Sequence, residues 1–148
     1  MAVILVSACL IGCPCRYDGE ACECAVLNEI AKSNTLVPIC PEQLGGLPTP
    51  RLPSERWGDK ILMKDGTDVT LQYRRGAETA LKTALTCGAD FAVLKAKSPS
   101  CGKGSIYDGS FSGTLTAGNG VAAEKLMHNG ISVFSENELP EIISLCSH

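Results

Sequence analysis

Short apolar runs alternate along this chain with polar stretches punctuated by glycine and proline. Residues 2–8 are rich in Val, Ile and Leu with no in–out alternation, the pattern of a central parallel strand covered on both faces. A loop with Gly12, Pro14 and Gly19 follows, and then the spacing of Val26, Leu27, Ile30 and Ala31 predicts a helix over 22–33, stopped at Asn34. Residues 35–39 form a second expected strand. The segment 40–58 carries Pro41, Pro48, Pro50 and Pro53 with Gly45 and Gly46, so it reads as a proline-stiffened loop that shapes a wall. Lys60–Met63 predicts a short strand and Lys64-Asp65-Gly66 its turn. The strongest helical pattern covers 69–87, where Ala77, Ala80, Leu81, Ala84 and Leu85 make one apolar stripe. Asp68 or Thr70 caps its start and Gly88 ends it. Gly76 inside it is a mild weakness by helix propensity, about 1 kcal/mol against alanine. Residues 90–95 predict a third strand, 96–118 an irregular Gly- and Ser-rich region, 119–128 a helix and 131–134 a fourth strand. Ser135 and Glu138 then have capping-box spacing for a last helix.

Short strands alternating with helices predict an α/β fold, a single-domain three-layer sandwich over residues 1–148 with a mainly parallel, Rossmann-like sheet. Within that frame, three apolar runs each end a few residues before a cysteine: Cys9, Cys40 and Cys101. The carboxyl ends of parallel strands form the ligand crevice of such sheets. If the three runs are neighbours, three thiols converge there. Soft thiolates suit an iron–sulfur cluster or a thiophilic metal, and three rather than four leave one metal position open. Each cysteine taken alone reads better as a small buried hydrophobe, and it is the three together at strand ends that point to a shared metal site.

Composition narrows the chemistry. A net charge of −3 argues against a nucleic-acid surface. Nine cysteines, an odd number, exclude a fully paired disulfide framework and favour metal or redox chemistry in a reducing cytosol. Val6-Ser7-Ala8-Cys9 looks superficially like a lipoprotein cleavage site, but the basic segment and long apolar run of a signal peptide are missing. No stretch approaches the ~20 apolar residues of a membrane span.

Around the three cysteines lie the candidate reactive groups. Glu42 follows Cys40 closely enough to share the crevice, where burial favours a carboxyl that holds a proton; as a loop residue it is equally at home in solvent. Ser98 and Ser100 flank Pro99 just before Cys101 and read as nucleophile, proton relay or plain turn residues. Cys13, Cys15, Cys22 and Cys24 form two Cys-x-Cys pairs, tighter than structural zinc spacing, and are expected outside the three-strand crevice and dispensable to it. Zinc, a redox pair or accessory ligands are the readings open to them. Cys87 and Cys146 receive no role. Arg16-Tyr17-Asp18-Gly19 is echoed by Ile106-Tyr107-Asp108-Gly109, each a turn closed by glycine. Gly118-Asn119-Gly120 before a helix is a weak anion-site signal.

Taken together, several motifs resemble the thiouracil desulfidase (TudS) family over nearly the whole chain. They are Val6-Ser7-Ala8-Cys9-Leu10-Ile11-Gly12, Arg16-Tyr17-Asp18-Gly19, Cys40-Pro41-Glu42 and Gly45-Gly46-Leu47-Pro48-Thr49-Pro50-Arg51. Leu94-Lys95-Ala96-Lys97-Ser98-Pro99-Ser100-Cys101-Gly102, Ile106-Tyr107-Asp108-Gly109-Ser110-Phe111 and Gly118-Asn119-Gly120-Val121 complete them. The resemblance implies a 4Fe–4S cluster on three cysteines that correspond to Cys9, Cys40 and Cys101, with one iron open to the sulfur of 2- or 4-thiouracil. Uracil and sulfide would be the products, and the acidic and hydroxyl groups would be Glu42 and Ser98 or Ser100. It also implies a cytoplasmic enzyme with a small-molecule thiolated nucleobase as partner. The four N-terminal cysteines of the Cys-x-Cys pairs fall outside the family pattern. Two rivals stay open: a non-catalytic metal or redox-sensing module, and a cluster enzyme for thiolated tRNA or another thioamide.

Overall fold

A computed structural model describes residues 1–146. Four parallel strands form the main sheet: β1 (Val3–Ser7), β2 (Thr35–Ile39), β5 (Phe91–Leu94) and β8 (Val133–Ser135), in the order β2-β1-β5-β8. Val3 to Ser7 register with Thr35 to Ile39 on one side, and Ile4 to Val6 with Phe91 to Val93 on the other. β1 is therefore central, which explains its unbroken apolar run.

Successive residues of each strand point to opposite faces. Leu5, Ala92, Leu94 and Val133 pack with Ala77, Ala80, Leu81 and Ala84 of α3 (Thr70–Cys87) and Ala122, Ala123 and Leu126 of α4 (Val121–His128). Ile4, Val6, Phe91 and Val93 pack with Leu27 and Ile30 of α1 (Ala25–Ile30) and Ile142 of α5 (Leu139–Cys146). Helices thus cover both sheet faces. The long central helix begins where Asp68 Oδ1 accepts the Thr70 N–H at 2.9 Å and ends at Gly88, whose φ of 67° is the left-handed turn glycine adopts freely.

Three expectations need correction. The first helix is shorter than 22–33, because the backbone of 22–24 is spent on β1's exit: Cys22 N–H bonds Cys9 O at 2.9 Å and Cys24 N–H bonds Leu10 O at 2.7 Å. The stretch 40–58 is not all loop. It holds the one-turn α2 (Pro41–Leu44) and β3 (Ser54–Trp57), which pairs antiparallel with β4 (Lys60–Met63). The region 96–118 likewise folds a hairpin of β6 (Ser105–Tyr107) and β7 (Leu115–Ala117).

Gly76 is a packing requirement rather than a weakness. A Cβ there would lie 1.9 Å from Pro41 O, and one on Gly45 would lie 1.9 Å from Gln72 O. α2 rests on α3 backbone to backbone, and this seats the segment that carries Cys40 and Glu42.

Candidate active site

Cys9 lies two residues past β1, Cys40 immediately past β2 and Cys101 in the loop after β5. These strands are adjacent and parallel, so the three exits open on one crevice. There a cavity of about 480 Å³ is lined by Cys9, Cys40 and Cys101 together with Glu42, Ser98 and Ser100. The three strand-end cysteines and the three reactive candidates beside them all line this cavity.

No sheet holds the three segments beyond the strand ends; side chains do. Ser7 Oγ accepts the Lys95 N–H at 2.9 Å, tying β1 to the chain after β5. Ser98 Oγ accepts the N–H groups of both Ser100 and Cys101 at 3.0 Å, closing the turn that presents Cys101. The first N–H groups of α4 bind the same loop: Val121 donates to Pro99 O at 2.9 Å, Ala122 to Ser100 O at 2.9 Å and Ala123 to Ser100 O at 3.1 Å. This overturns the anion site expected at Gly118-Asn119-Gly120, whose helix terminus is already satisfied by the Cys101 loop. Gly120 must be glycine there, since a Cβ would lie 2.4 Å from Ser100 C.

Ser98 and Ser100 share a hydrogen bond of 2.9 Å, and Ser100 Oγ donates to Glu42 Oε2 at 2.9 Å. The donor order follows. Ser100 spends its proton on Glu42, so the Ser98 hydroxyl donates to Ser100. Ser98 is half-buried at the cavity, whereas Ser100 is buried and links it to the carboxylate. The other carboxylate oxygen, Oε1, accepts from Arg51 Nε at 3.0 Å. The Arg51 side chain is only 3% exposed and supplies the countercharge a buried carboxylate needs. Its remaining donors reach Pro48 O, Thr49 Oγ1 and Cys15 O. Arg51 was quoted among the family motifs without a role; the structure makes it the clamp between α2 and the Cys13–Tyr17 loop.

Cys15 corrects another expectation. It is buried in the crevice, beside the thiols of Cys9 and Cys40, and not outside it. Its carbonyl accepts Cys40 Sγ at 3.7 Å. Cys13 and Cys24 instead pack half-buried against the core under α1 and α5. The Cys-x-Cys pairs therefore part company. Among the described residues no three Cys, His, Asp or Glu side chains close on one point as the ligands of a single ion do. Thiolates on different irons of a cluster have no such need, since each binds its own iron.

The thiols are strongly perturbed. Contact with Cys15, then burial, pushes Cys40 far above the ordinary thiol range. Cys15 is pulled down by Cys40 but pushed up by Cys9 and by burial, ending at about 11. Burial pushes Cys101 to about 12 against the pull of the neighbouring Ser7 and Ser100 hydroxyls. Such thiols keep their protons at neutral pH until a metal displaces them. The donor set fits an iron–sulfur cluster: several soft sulfurs, buried, on three separate segments.

The far wall is aromatic and partly polar. Tyr17, Tyr107 and Phe111 line the cavity, the two tyrosines from the echoed turns closed by Gly19 and Gly109. Burial and then the Glu42 charge raise the Tyr73 phenol far above its usual range. Beside it, the buried Ser54 Oγ has no partner at bonding distance among the described residues. Among the described residues no helix is long and apolar enough to cross a membrane.

Known proteins match this chain along its length. A solved structure of a [4Fe-4S]-dependent thiouracil desulfidase, TudS, is 46% identical and superposes with a TM-score of 0.94 over 99% of each chain. The uncharacterized protein YbbK of Bacillus subtilis (strain 168) is 42% identical across 95% of this chain and 100% of its own. The family profile of 2-thiouracil desulfurase matches residues 4–138. Matched by the family profile over most of its length and 42% identical to a relative along nearly all of it, the chain belongs to the 2-thiouracil desulfurase family.

Proposed function

We propose that this chain is a [4Fe-4S]-dependent desulfidase that converts the C=S of a thiolated pyrimidine such as 2- or 4-thiouracil to C=O, releasing sulfide. The observation that carries the reading is the meeting of Cys9, Cys40 and Cys101 with the chain Ser98–Ser100–Glu42 at one cavity, supported by the family match and the 46%-identical neighbour. The exchange consumes water and yields hydrogen sulfide, so no external electrons are involved.

Cys9, Cys40 and Cys101 are the cluster ligands, and Cys15 is a neighbouring thiol outside that set. A cluster with one iron free of protein ligands supplies a thiophilic Lewis acid for the thiocarbonyl sulfur. The protein's own groups perform the rest. Ser98 Oγ already accepts two backbone N–H bonds, which stabilise negative charge on that oxygen as its proton leaves. The proton passes to Ser100 Oγ while the Ser100 proton moves to Glu42 Oε2. The Ser98 oxygen then bonds to the thiocarbonyl carbon, and the C–S bond breaks as sulfide leaves with the proton from Glu42. Water cleaves the Ser98 O–C link to release the C=O product and restore the serine hydroxyl; where Ser98 instead orients a water, that water supplies the oxygen directly. Arg51 fixes the carboxylate throughout. The walls of Tyr17, Tyr107 and Phe111 suit a flat heterocycle.

Glu42→Gln and Ser98→Ala keep normal iron content while uracil and sulfide release fall about 10²-fold or more, the scale of a lost acid–base group. Near-normal turnover in a fully loaded Glu42→Gln protein removes Glu42 from the mechanism. Near-normal turnover in Ser98→Ala alongside a collapse in Ser100→Ala transfers the attacking role to Ser100.

A further inference from the structure

The cavity that holds Glu42 holds a second carboxylate, Glu55, with no cation paired to it among the described residues. Glu55, at the start of the β3–β4 hairpin, is 9% exposed and lines the same cavity. Its Oε1 accepts the N–H groups of Gly109 at 3.0 Å and Phe111 at 3.1 Å. Its Oε2 has no hydrogen bond, and neither oxygen has an ion pair, among the described residues. Buried carboxylates are expensive unless paired or fully hydrogen-bonded. Glu42, in the same cavity, commits both oxygens to Arg51 and Ser100; Glu55 keeps one oxygen uncommitted, and that oxygen is not sealed inside the protein, since Ser54 Oγ is the one enclosed side-chain polar atom without a partner among the described residues.

The committed oxygen also shapes the wall. Phe111 has a φ of 56°, a left-handed conformation unusual for an aromatic residue. The Glu55 carboxylate, through the two N–H bonds, holds that backbone, and the Phe111 side of the loop faces the cavity. The flat wall and the spare acceptor are thus parts of one device.

On the reading of this cavity as the site of a thiolated heterocycle, we propose that Glu55 is the substrate-recognition residue, its free oxygen accepting a ring N–H beside the thiocarbonyl while Phe111 backs the ring. Thiolactam rings in the N–H form are the class this selects. Rings methylated at that nitrogen lose the donor and leave that acceptor unpaired. The penalty for leaving a hydrogen bond to a charged group unmade is about 10- to 100-fold in affinity.

Two measurements test this. With the unaltered, cluster-loaded enzyme, KM is compared for 2-thiouracil and for its two ring-N-methyl derivatives. One methylation is expected to raise KM at least about 10-fold. Glu55→Gln is then made; its amide oxygen keeps the bonds to Gly109 and Phe111, while its NH₂ turns a donor toward the ring. It is expected to retain iron content and melting temperature, to raise the KM for 2-thiouracil by a similar factor with little change in kcat, and to lose discrimination against the methylated ring. Calorimetric titration with uracil, which lacks a reacting sulfur, should show the same loss of affinity. Equal KM for all three rings in the unaltered enzyme overturns the proposal, even should Glu55→Gln fail to fold. So does a Glu55→Gln protein that weakens both rings alike, since that marks a purely structural role. An unaltered, fully loaded enzyme inert toward every thiouracil instead overturns the proposed reaction, and uracil binding then decides Glu55 separately.

Discussion

Replacing Gly76 with alanine sets two physical arguments against each other. Helix propensity says the change stabilises α3 by about 1 kcal/mol. Packing says the opposite. The new Cβ would lie 1.9 Å from Pro41 O and 2.7 Å from Pro41 C, where 3.4 Å begins ordinary contact. α2 would have to withdraw by roughly 1.5 Å, because the obstacle is main chain and no side chain can swing aside. Overpacking costs about 1–3 kcal/mol, and a backbone obstacle puts this site at the upper end. Net of propensity, the loss is about 2 kcal/mol, a fall of about 4–8 °C in melting temperature for a chain of this size. The consequence for function is separate, because α2 carries Glu42 and follows Cys40 directly. A displacement of about 1 Å in catalytic groups can cost 10²-fold in rate. Thermal unfolding by circular dichroism, iron content and thiouracil turnover on Gly76→Ala check both parts. A raised melting temperature with full turnover would refute the reasoning about this helix contact.

The spare cysteines and the Asp68 turn that leads into α3 give two further tests. Replacing Cys13, Cys22 and Cys24 together with serine should leave iron content intact, and Cys15→Ser should do so too under ligation by Cys9, Cys40 and Cys101; iron loss in Cys15→Ser alone would bring Cys15 into the ligand set. The Asp68 carboxyl is held below its ordinary value of 3.8 by hydrogen bonds from Thr70. A depressed folded-state value means its stabilisation is present above the unfolded-state value and fades as pH falls through the folded one, so Asp68→Ala should lower the melting temperature at neutral pH and converge with the parent in acid.

Much of the fold was legible because its signals are local and repeated. The apolar runs that became β1 and β5 lack alternation, as strands buried on both faces do, β2 is the same kind of run placed at the sheet edge, and the α3 stripe runs from Tyr73 to Ala84, about three turns. The β6–β7 hairpin was illegible for the converse reason. Its strands are three residues long, set among glycine and serine, and they pair mainly with each other, so neither hydrophobic period nor length marks them. β3 escaped notice because proline precedes it, and proline argues against strands only within them.

The site divides along a different line. The cysteines were legible because a position after an apolar strand is a statement about topology, and the order β2-β1-β5 brings those three ends side by side. What could not be read is what binds the ends together. Ser7 and Arg51 direct polar side chains at main-chain groups of a neighbouring segment, Ser98 at the main chain of its own turn, and none sits in a periodic pattern. The approach of Cys15 depends on the 13–24 segment folding back along Cys9, through Cys13 N–H to Ala8 O and Cys22 N–H to Cys9 O, geometry that a Cys-x-Cys spacing does not encode. The same reasoning explains why Glu42 and Ser100, 58 positions apart, end 2.9 Å from each other. One rides a helical turn seated by two glycines against α3, the other a loop held by the first turn of α4, and both supports rest on the same face of the sheet. The reactive groups are therefore positioned by glycine contacts and by loop carbonyls next to the cysteines, Pro41 O after Cys40 and Ser100 O before Cys101. In this chain the residues that determine catalytic geometry include ones with no chemistry of their own.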